Sequence, residues 1–355
     1  MTPITKTRAR TAGRRRTTLT SLLLGAALLL SACADKGAGG TGQAGDGPSV
    51  VLVTPEKAGD GGPTDQMLAG LRRAEQEFGL RTRHIEATDG STYESTLRNL
   101  GSTGASVVIV AFTQFTEAIA AVAPEFPDTR FIHLYADPAQ KPAGNVLTVT
   151  YDTGGPAYLA GVLAAKTSAT GKVGFVGGQA SPQVSADYHA FVAGVTATDP
   201  NAKVQGAVVG SWSDPVKGQQ VAQTLYGAGV DTILAYGGGS SAGVVKAAQQ
   251  KGALVALDGI ATAENADVVA ATATQEFGTT IYQQLKAVHD NAWKAGHATA
   301  GLDNDGTSLA PVDLFSGKAK PDQVAKVQSA FDAVRTAKSA IIAGSVKVPF
   351  DTTGF

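Results

Sequence analysis

Lys172-Val173-Gly174-Phe175-Val176-Gly177-Gly178 is the stretch whose reading decides the fold. Val173 to Val176 is a short apolar run, too brief for a helix and bounded by glycine, as a buried strand is. Gly177-Gly178 then opens a loop, read first as a tight turn, and a helix-period segment follows from His189 to Ala197. The same grammar recurs outward in both directions. Further β-branched or apolar runs are Val50 to Val53, Val107 to Val110, Arg130 to His133, Thr232 to Ala235 and Leu254 to Leu257. Helix-period segments separate them: Gln66 to Phe78, Tyr93 to Leu100, Phe115 to Ala123, Pro156 to Thr167, Lys217 to Tyr226 and Ala242 to Lys251. Strands alternating with helices of this length build βαβ units on a parallel sheet covered on both faces. There are too many units for one small sheet, so the chain is expected to form two doubly wound α/β lobes. Gly154-Gly155 and the region from Gly301 to Gly306 are where it would cross between them. Ligands of such sheets bind beyond the carboxyl ends of the strands, which puts a cleft between the lobes.

The N-terminus reads differently. Lys6, Arg8, Arg10, Arg14, Arg15 and Arg16 precede an apolar run from Leu19 to Leu30 with no acidic residue among them. A basic region, a short apolar region and small residues in that order form an export signal. The run is shorter than the roughly 20 residues a membrane span needs. Leu30-Ser31-Ala32-Cys33 closes it with the only cysteine of the chain. That arrangement resembles the lipobox of bacterial lipoproteins, whose cysteine is lipidated and becomes the new N-terminus. Arg15-Arg16 is also compatible with twin-arginine export, although arginines are common in ordinary signals. Asp35 to Ser49 is mainly Gly, Ala, Asp, Gln and Thr with nothing to bury, which reads as a flexible tether. The expected organisation is a signal over 1–32, lipidated Cys33 with tether over 33–48, a first lobe over 49–152 plus about 273–302, and a second over 153–272 plus about 303–355.

Charge and composition exclude several classes. Without residues 1–32 the chain carries 23 basic against 30 acidic residues, a net charge of −7. A nucleic-acid binder would be basic, so none is expected as a partner. With Cys33 committed to lipid, no disulfide or cysteine-based metal site is available, and the five histidines are scattered. No metal and no cofactor is expected.

Candidate site residues cluster at strand ends. Trp212 follows the strand-like segment Val204 to Val209 and precedes Asp214-Pro215, a helix start in which Asp214 reads as a cap. Its flat apolar face with one donor suits stacking on a planar ligand. Asp258 ends the strand before Gly259; it is either turn chemistry or a carboxylate placed to accept two hydroxyls of a diol. Gly59-Asp60-Gly61-Gly62 follows the first strand and lets backbone approach a ligand at a helix N-terminus, without the spacing of a dinucleotide site. Phe112 and Tyr236 end two further strands, either as core or as a second stacking face. Gly239-Ser240-Ser241-Ala242-Gly243 matches the nucleophile-elbow pattern. A surface-anchored esterase using Ser241, with Asp258 or Asp267 and His289 or His297, is therefore an alternative. The two extra glycines before the elbow weaken it.

Beyond these single residues, an ordered set of motifs resembles the basic membrane protein family, the purine-nucleoside-receptor-like substrate-binding lipoproteins of ABC importers. The set comprises Tyr158-Leu159-Ala160-Gly161-Val162-Leu163-Ala164-Ala165, the Lys172 to Gly178 stretch, Gly210-Ser211-Trp212-Ser213-Asp214-Pro215 and Tyr226-Gly227-Ala228-Gly229-Val230-Asp231. Gly237-Gly238-Gly239 through Val244, Leu257-Asp258 and Gly344 to Pro349 complete it. The resemblance implies a type I periplasmic-binding fold of two Rossmann-like lobes joined by three crossovers. It also implies no enzyme but a binding protein that hands a small polar ligand, most characteristically a nucleoside, to an ABC permease. A ligand-sensing lipoprotein without a transport role is a second alternative. Trp212 stands where the family stacks an aromatic on the base, and Asp258 where an acid holds ribose hydroxyls. Gly238 belongs to a loop lining the cleft. Asp60 fits the acid of the family's Asp-x-Ser-Phe-Asn motif, but Gly61, Gly62, Pro63 and Thr64 depart from the rest of it. Tyr135 replaces a usual aspartate and Gln275 a usual lysine. The implied location is the extracytoplasmic face of the cell membrane, anchored through Cys33.

Overall fold

The computed structural model of the protein describes residues 47–59 and 62–354. Cys33, Asp60 and Gly61 lie outside the described residues. The chain runs β1 (Ser49–Thr54), α1 (Pro63–Phe78), β2 (Arg81–Glu86), α2 (Tyr93–Ser102), β3 (Val107–Ala111), α3 (Thr116–Val122), β4 (Arg130–Leu134) and β5 (Val146–Tyr151). It continues with α4 (Gly154–Thr167), β6 (Lys172–Gly177), α5 (Pro182–Thr198), β7 (Lys203–Val208), α6 (Pro215–Gly227), β8 (Thr232–Tyr236), α7 (Ser241–Lys251), β9 (Leu254–Asp258) and β10 (Val269–Gln275). The last elements are α8 (Phe277–His289), β11 (Gly296–Ala300), β12 (Thr307–Pro311), a one-turn α9 (Phe315–Lys318) and α10 (Pro321–Ile342). No helix among the described residues is long and apolar enough to cross a membrane.

Two six-stranded sheets result, in the orders β11-β5-β4-β3-β1-β2 and β12-β10-β9-β8-β6-β7. The first is parallel throughout; the second is parallel except for β12, antiparallel to β10. In the centre of the first, Leu52 pairs with Ile109 and Val53 with Val110, all fully buried, because helices cover both faces. The expected α/β fold of two doubly wound lobes is the observed one. The sheet order inverts where β1 and β6 meet their neighbours, the place where sheets of this kind bind ligands.

The chain passes from one sheet to the other three times: between β5 and α4, between β10 and α8, and between β11 and β12. Each passage is held by its own side chain. Asp152 Oδ1 accepts the N–H groups of Gly154 and Gly155. Glu276 Oε1 accepts the hydroxyls of Thr274 and Ser308. The Asn304 amide accepts from Gly301 and Gly306 N–H and donates to the Thr299 carbonyl. The second passage falls at Glu276, slightly beyond the boundary near 273 expected from sequence, because β10 keeps its pairing to β12 as far as Gln275.

Candidate ligand cleft

The carboxyl edge of the second sheet is built around Trp212. The Gly178 carbonyl accepts from the N–H groups of both Gly210 and Ser211, which curls the loop after β7 back over the sheet. A Cβ at Gly178 would lie 2.3 Å from the indole, so this glycine is more than the tight turn expected of it: it leaves room for the ring. Ser240 fixes the other side, donating its N–H to the Trp212 carbonyl and its hydroxyl to the Ser211 carbonyl while accepting from Asp214 N–H. Gly238, at φ 55°, lies beside it, where a Cβ would stand 3.1 Å from the Trp212 carbonyl oxygen. Trp212 keeps 40% of its surface exposed and meets the buried Tyr236 ring edge-on at 6.4 Å. Asp214 caps α6 through its bond from Lys217 N–H, with Pro215 in the first turn, as its position predicts.

Next to Tyr236 the strands β9 and β10 end on Asp258 and Gln275, which line one cavity with it. A second carboxyl joins Asp258 from α5. Asp187 is fully buried; its Oδ1 accepts from Thr153 Oγ1 at 2.8 Å and Gln183 Nε2 at 3.2 Å. Burial first, and then the Asp187 charge, push the Asp258 carboxyl up to about 7. Burial likewise pushes Asp187 up to about 6, against its bonds from Thr153 and Gln183 and the nearby Tyr236 hydroxyl. Thr153, Tyr236, Asp258 and Gln275 line one small cavity. A crevice of about 600 Å³ lies alongside between α1, α8 and the loop after β9, and shares only Thr274 with that cavity.

The first sheet presents aromatic rings. Phe112 follows β3 and Tyr135 follows β4, on adjacent strands, with φ of 74° and 53°. Positive φ in a bulky residue is strained and persists only where surroundings enforce it. Here the fully buried His133 donates from Nε2 to the Phe112 carbonyl at 2.8 Å, and its Nδ1 lies 2.8 Å from the Gln140 amide. The rings of Phe112 and Tyr135 are 6.1 Å apart; Tyr151 stacks on Tyr135 at 5.9 Å, and Phe277 closes the group. The Tyr135 hydroxyl is pushed up by burial and then by the negative charges of Asp258 and Asp187; α1 and α8 of the first lobe and the loop after β9 of the second line one crevice between them.

Of the expected residues, the fold brings Trp212, Tyr236, Gly238, Asp258 and Gln275 to one edge and Phe112 and Tyr135 to the other. Asp187, Thr153, Tyr151 and Phe277 join them without having been singled out. The elbow serine is occupied structurally, since Ser241 Oγ is buried and accepts from Gly237 N–H. Its conceivable partners are engaged elsewhere, His297 with Thr148 on the first sheet, His289 with Asp290 and Asp267 with Gln249.

Two facing α/β lobes with aromatic and carboxyl groups on their opposed edges define a solute-binding protein. The family model described as "ABC transporter substrate-binding protein PnrA-like" matches residues 48–340, and the chain belongs to that family. It is a binding protein rather than an enzyme. The ABC transporter nucleoside-binding protein BmpA of Lactococcus lactis subsp. cremoris is 26% identical over 289 residues, covering 75% of this chain and 77% of the relative. A purine-binding protein of Brucella abortus is 26% identical over 295 residues, 81% of each chain. Among solved structures, an ABC transporter solute-binding protein of Conexibacter woesei superposes with a TM-score of 0.71 at 24% identity, over 86% of this chain and 99% of its own.

Proposed function

We propose that the cleft captures a nucleoside or a related base–sugar compound and that the closed protein delivers it to an ABC permease. The observation that carries this reading is the pairing of Trp212 with Asp258 and Gln275 on one edge, opposite the Phe112–Tyr135 ring group. A planar base would stack on Trp212 while the carboxyl and amide hold sugar hydroxyls, and Asp60 with Gly61 would contribute from the first lobe. The relatives named for nucleoside and purine binding support the same class. Closure selects the liganded form, and the permease reads that form.

The reading includes a location. Cleavage before Cys33 and its lipidation would hold the body on the extracytoplasmic face of the cell membrane by the 33–48 tether, within reach of the permease. The direct test is thermal unfolding of the chain from residue 34 onward against nucleosides, bases, sugars and amino acids. A ligand at about 100 times its Kd adds roughly 2.7 kcal/mol to stability, so a true ligand stands out. A shift with nucleosides alone supports the reading; a shift with another class and silence from nucleosides overturns it.

A further inference from the structure

The carboxyl groups of this cleft are poorly provided with partners. Asp187 has no exposed surface, yet its Oδ2 has no partner in hydrogen-bond geometry among the described residues, although the Tyr236 hydroxyl is near. Leaving a buried charged acceptor without a donor is among the costlier arrangements in a folded protein. Asp258 lines one small cavity with Gln275 and with Thr153, whose hydroxyl donates to Asp187. None of the ion pairs among the described residues includes either acid. A further charge acting on Asp187 is again an acid, Asp152. Across the cleft the Tyr135 ring lies within the field of both carboxyls, stacked on Tyr151.

A neutral diol would bond one carboxylate and leave the repulsion between the two in place. An organic cation answers both needs: it supplies donors to Asp187 Oδ2 and Asp258 and neutralises the pair, and aromatic faces accept the rest of its charge. Resting on the reading that this cleft is the binding site, we infer that its ligand carries a protonated nitrogen, an ammonium or amidinium group, seated between Asp187 and Asp258 and rimmed by Tyr236 and Tyr135. The ligand class is thereby narrowed from nucleoside-like compounds to those bearing a basic amine.

Calorimetric titration at pH 7 tests this with matched probes: adenosine against 5′-amino-5′-deoxyadenosine, and glucose against glucosamine. Methylammonium is compared with sodium chloride, both to 100 mM, as the minimal probe by thermal unfolding. The expected result is at least ten-fold tighter binding of the amine in one pair, with the preference lost in Asp187→Asn. Asp258→Asn, changed at a strand end, gives the same readout if the first variant folds poorly. Adenosine binding as tightly as its amine overturns the charge inference and leaves the nucleoside reading standing. Silence from both nucleosides with preference for glucosamine upholds the charge and overturns the nucleoside. No amine preference in any pair, with methylammonium no better than sodium in wild type, overturns the inference.

Discussion

At the scale of single residues, the buried Asp187 and the half-buried Asp258 set the pH behaviour of the ligand-free protein. Both carboxyls are raised in the folded state, Asp187 to about 6 and Asp258 to about 7, from 3.8. Between about pH 4 and 7 the folded chain therefore holds more protons than the unfolded one, and stability falls as pH rises through that window. Below it both states are protonated and the penalty is absent; above it the penalty is complete. For Asp187 a shift of about two units corresponds to roughly 3 kcal/mol, shared in part with Asp258 because the pair titrates together. Asp187→Asn keeps an acceptor for Thr153 and Gln183 and removes the charge. Urea unfolding at pH 8 should show the variant about 2 kcal/mol more stable than wild type, with a flatter profile from pH 4 to 7. A variant that is less stable and equally steep would mean that Asp187 is not the source. Trp212 makes the complementary case for binding. A stacking ring left 40% exposed contributes little to the fold, so Trp212→Ala should weaken ligand binding by more than ~1 kcal/mol while the melting temperature of the free protein barely moves. Unchanged affinity by calorimetry would remove Trp212 from the site. Much of this candidate site was legible because parallel sheets present function at strand ends, and Trp212, Tyr236, Asp258, Phe112 and Tyr135 all follow or finish strands. Asp187 was not. It sits inside a helix among Val184, Ala186, Ala190 and Phe191, where a lone acid looks like a solvated position until tertiary packing buries it.

At the scale of elements, three helix pairs are drawn together at glycines. A Cβ on Gly161 of α4 would meet the Phe191 carbonyl of α5 at 2.2 Å, and one on Gly194 would meet the Tyr158 carbonyl at 2.0 Å. Gly218 and Gly243 do the same for α6 and α7, against Ser240 and Pro215 backbone, and Gly70 with Gly278 does so for α1 and α8. These are backbone contacts, which cannot rotate away as a side chain does. Gly161→Ala must therefore push α5 off the second sheet, with an expected loss of about 1–3 kcal/mol in chemical denaturation. The displaced helix carries Asp187, so the pH window described above should shift with it. An unchanged midpoint would show that the crossing is looser than its geometry. The α4 case also shows what patterning conveys: its nearly all-round burial leaves almost no amphipathic signal, so the helix was legible from length and composition. Strands divided on the same physics. The central ones, β1, β3, β6, β8 and β9, are continuous apolar runs and stood out at once. Edge strands β2 and β11 are polar on their open side, and β5 and β10 alternate threonine with apolar residues, so neither kind has the composition of a buried run.

At the scale of the whole molecule, the aromatic edge and the carboxyl edge belong to different sheets, so a bridging ligand must report on the passages that join them. The passages are short, and each is tied internally, by Asp152, by Glu276 with Thr274 and Ser308, and by Asn304. Rotation about all three at once moves the lobes as units and leaves the sheets intact, the geometry of hinge closure. The proposed tether ends where Gly47 and Pro48 accept from Arg81, and before that point it is proposed to add only reach. Cys33→Ser should accordingly move the protein from the membrane fraction to the soluble one while calorimetry gives an unaltered ligand affinity. Retention at the membrane would locate the anchor elsewhere. Closure itself is visible to small-angle X-ray scattering. Saturating ligand should reduce the radius of gyration of the wild-type chain, because bonds to Asp258 on one side and packing on the Tyr135 group on the other are made together only when the lobes approach. Asp258→Ala should retain its free dimensions at the same ligand concentration, since stacking on Trp212 alone engages one lobe and gives no reason for the other to move. Contraction in the variant equal to that of wild type would mean that the carboxyl edge does not select the closed form.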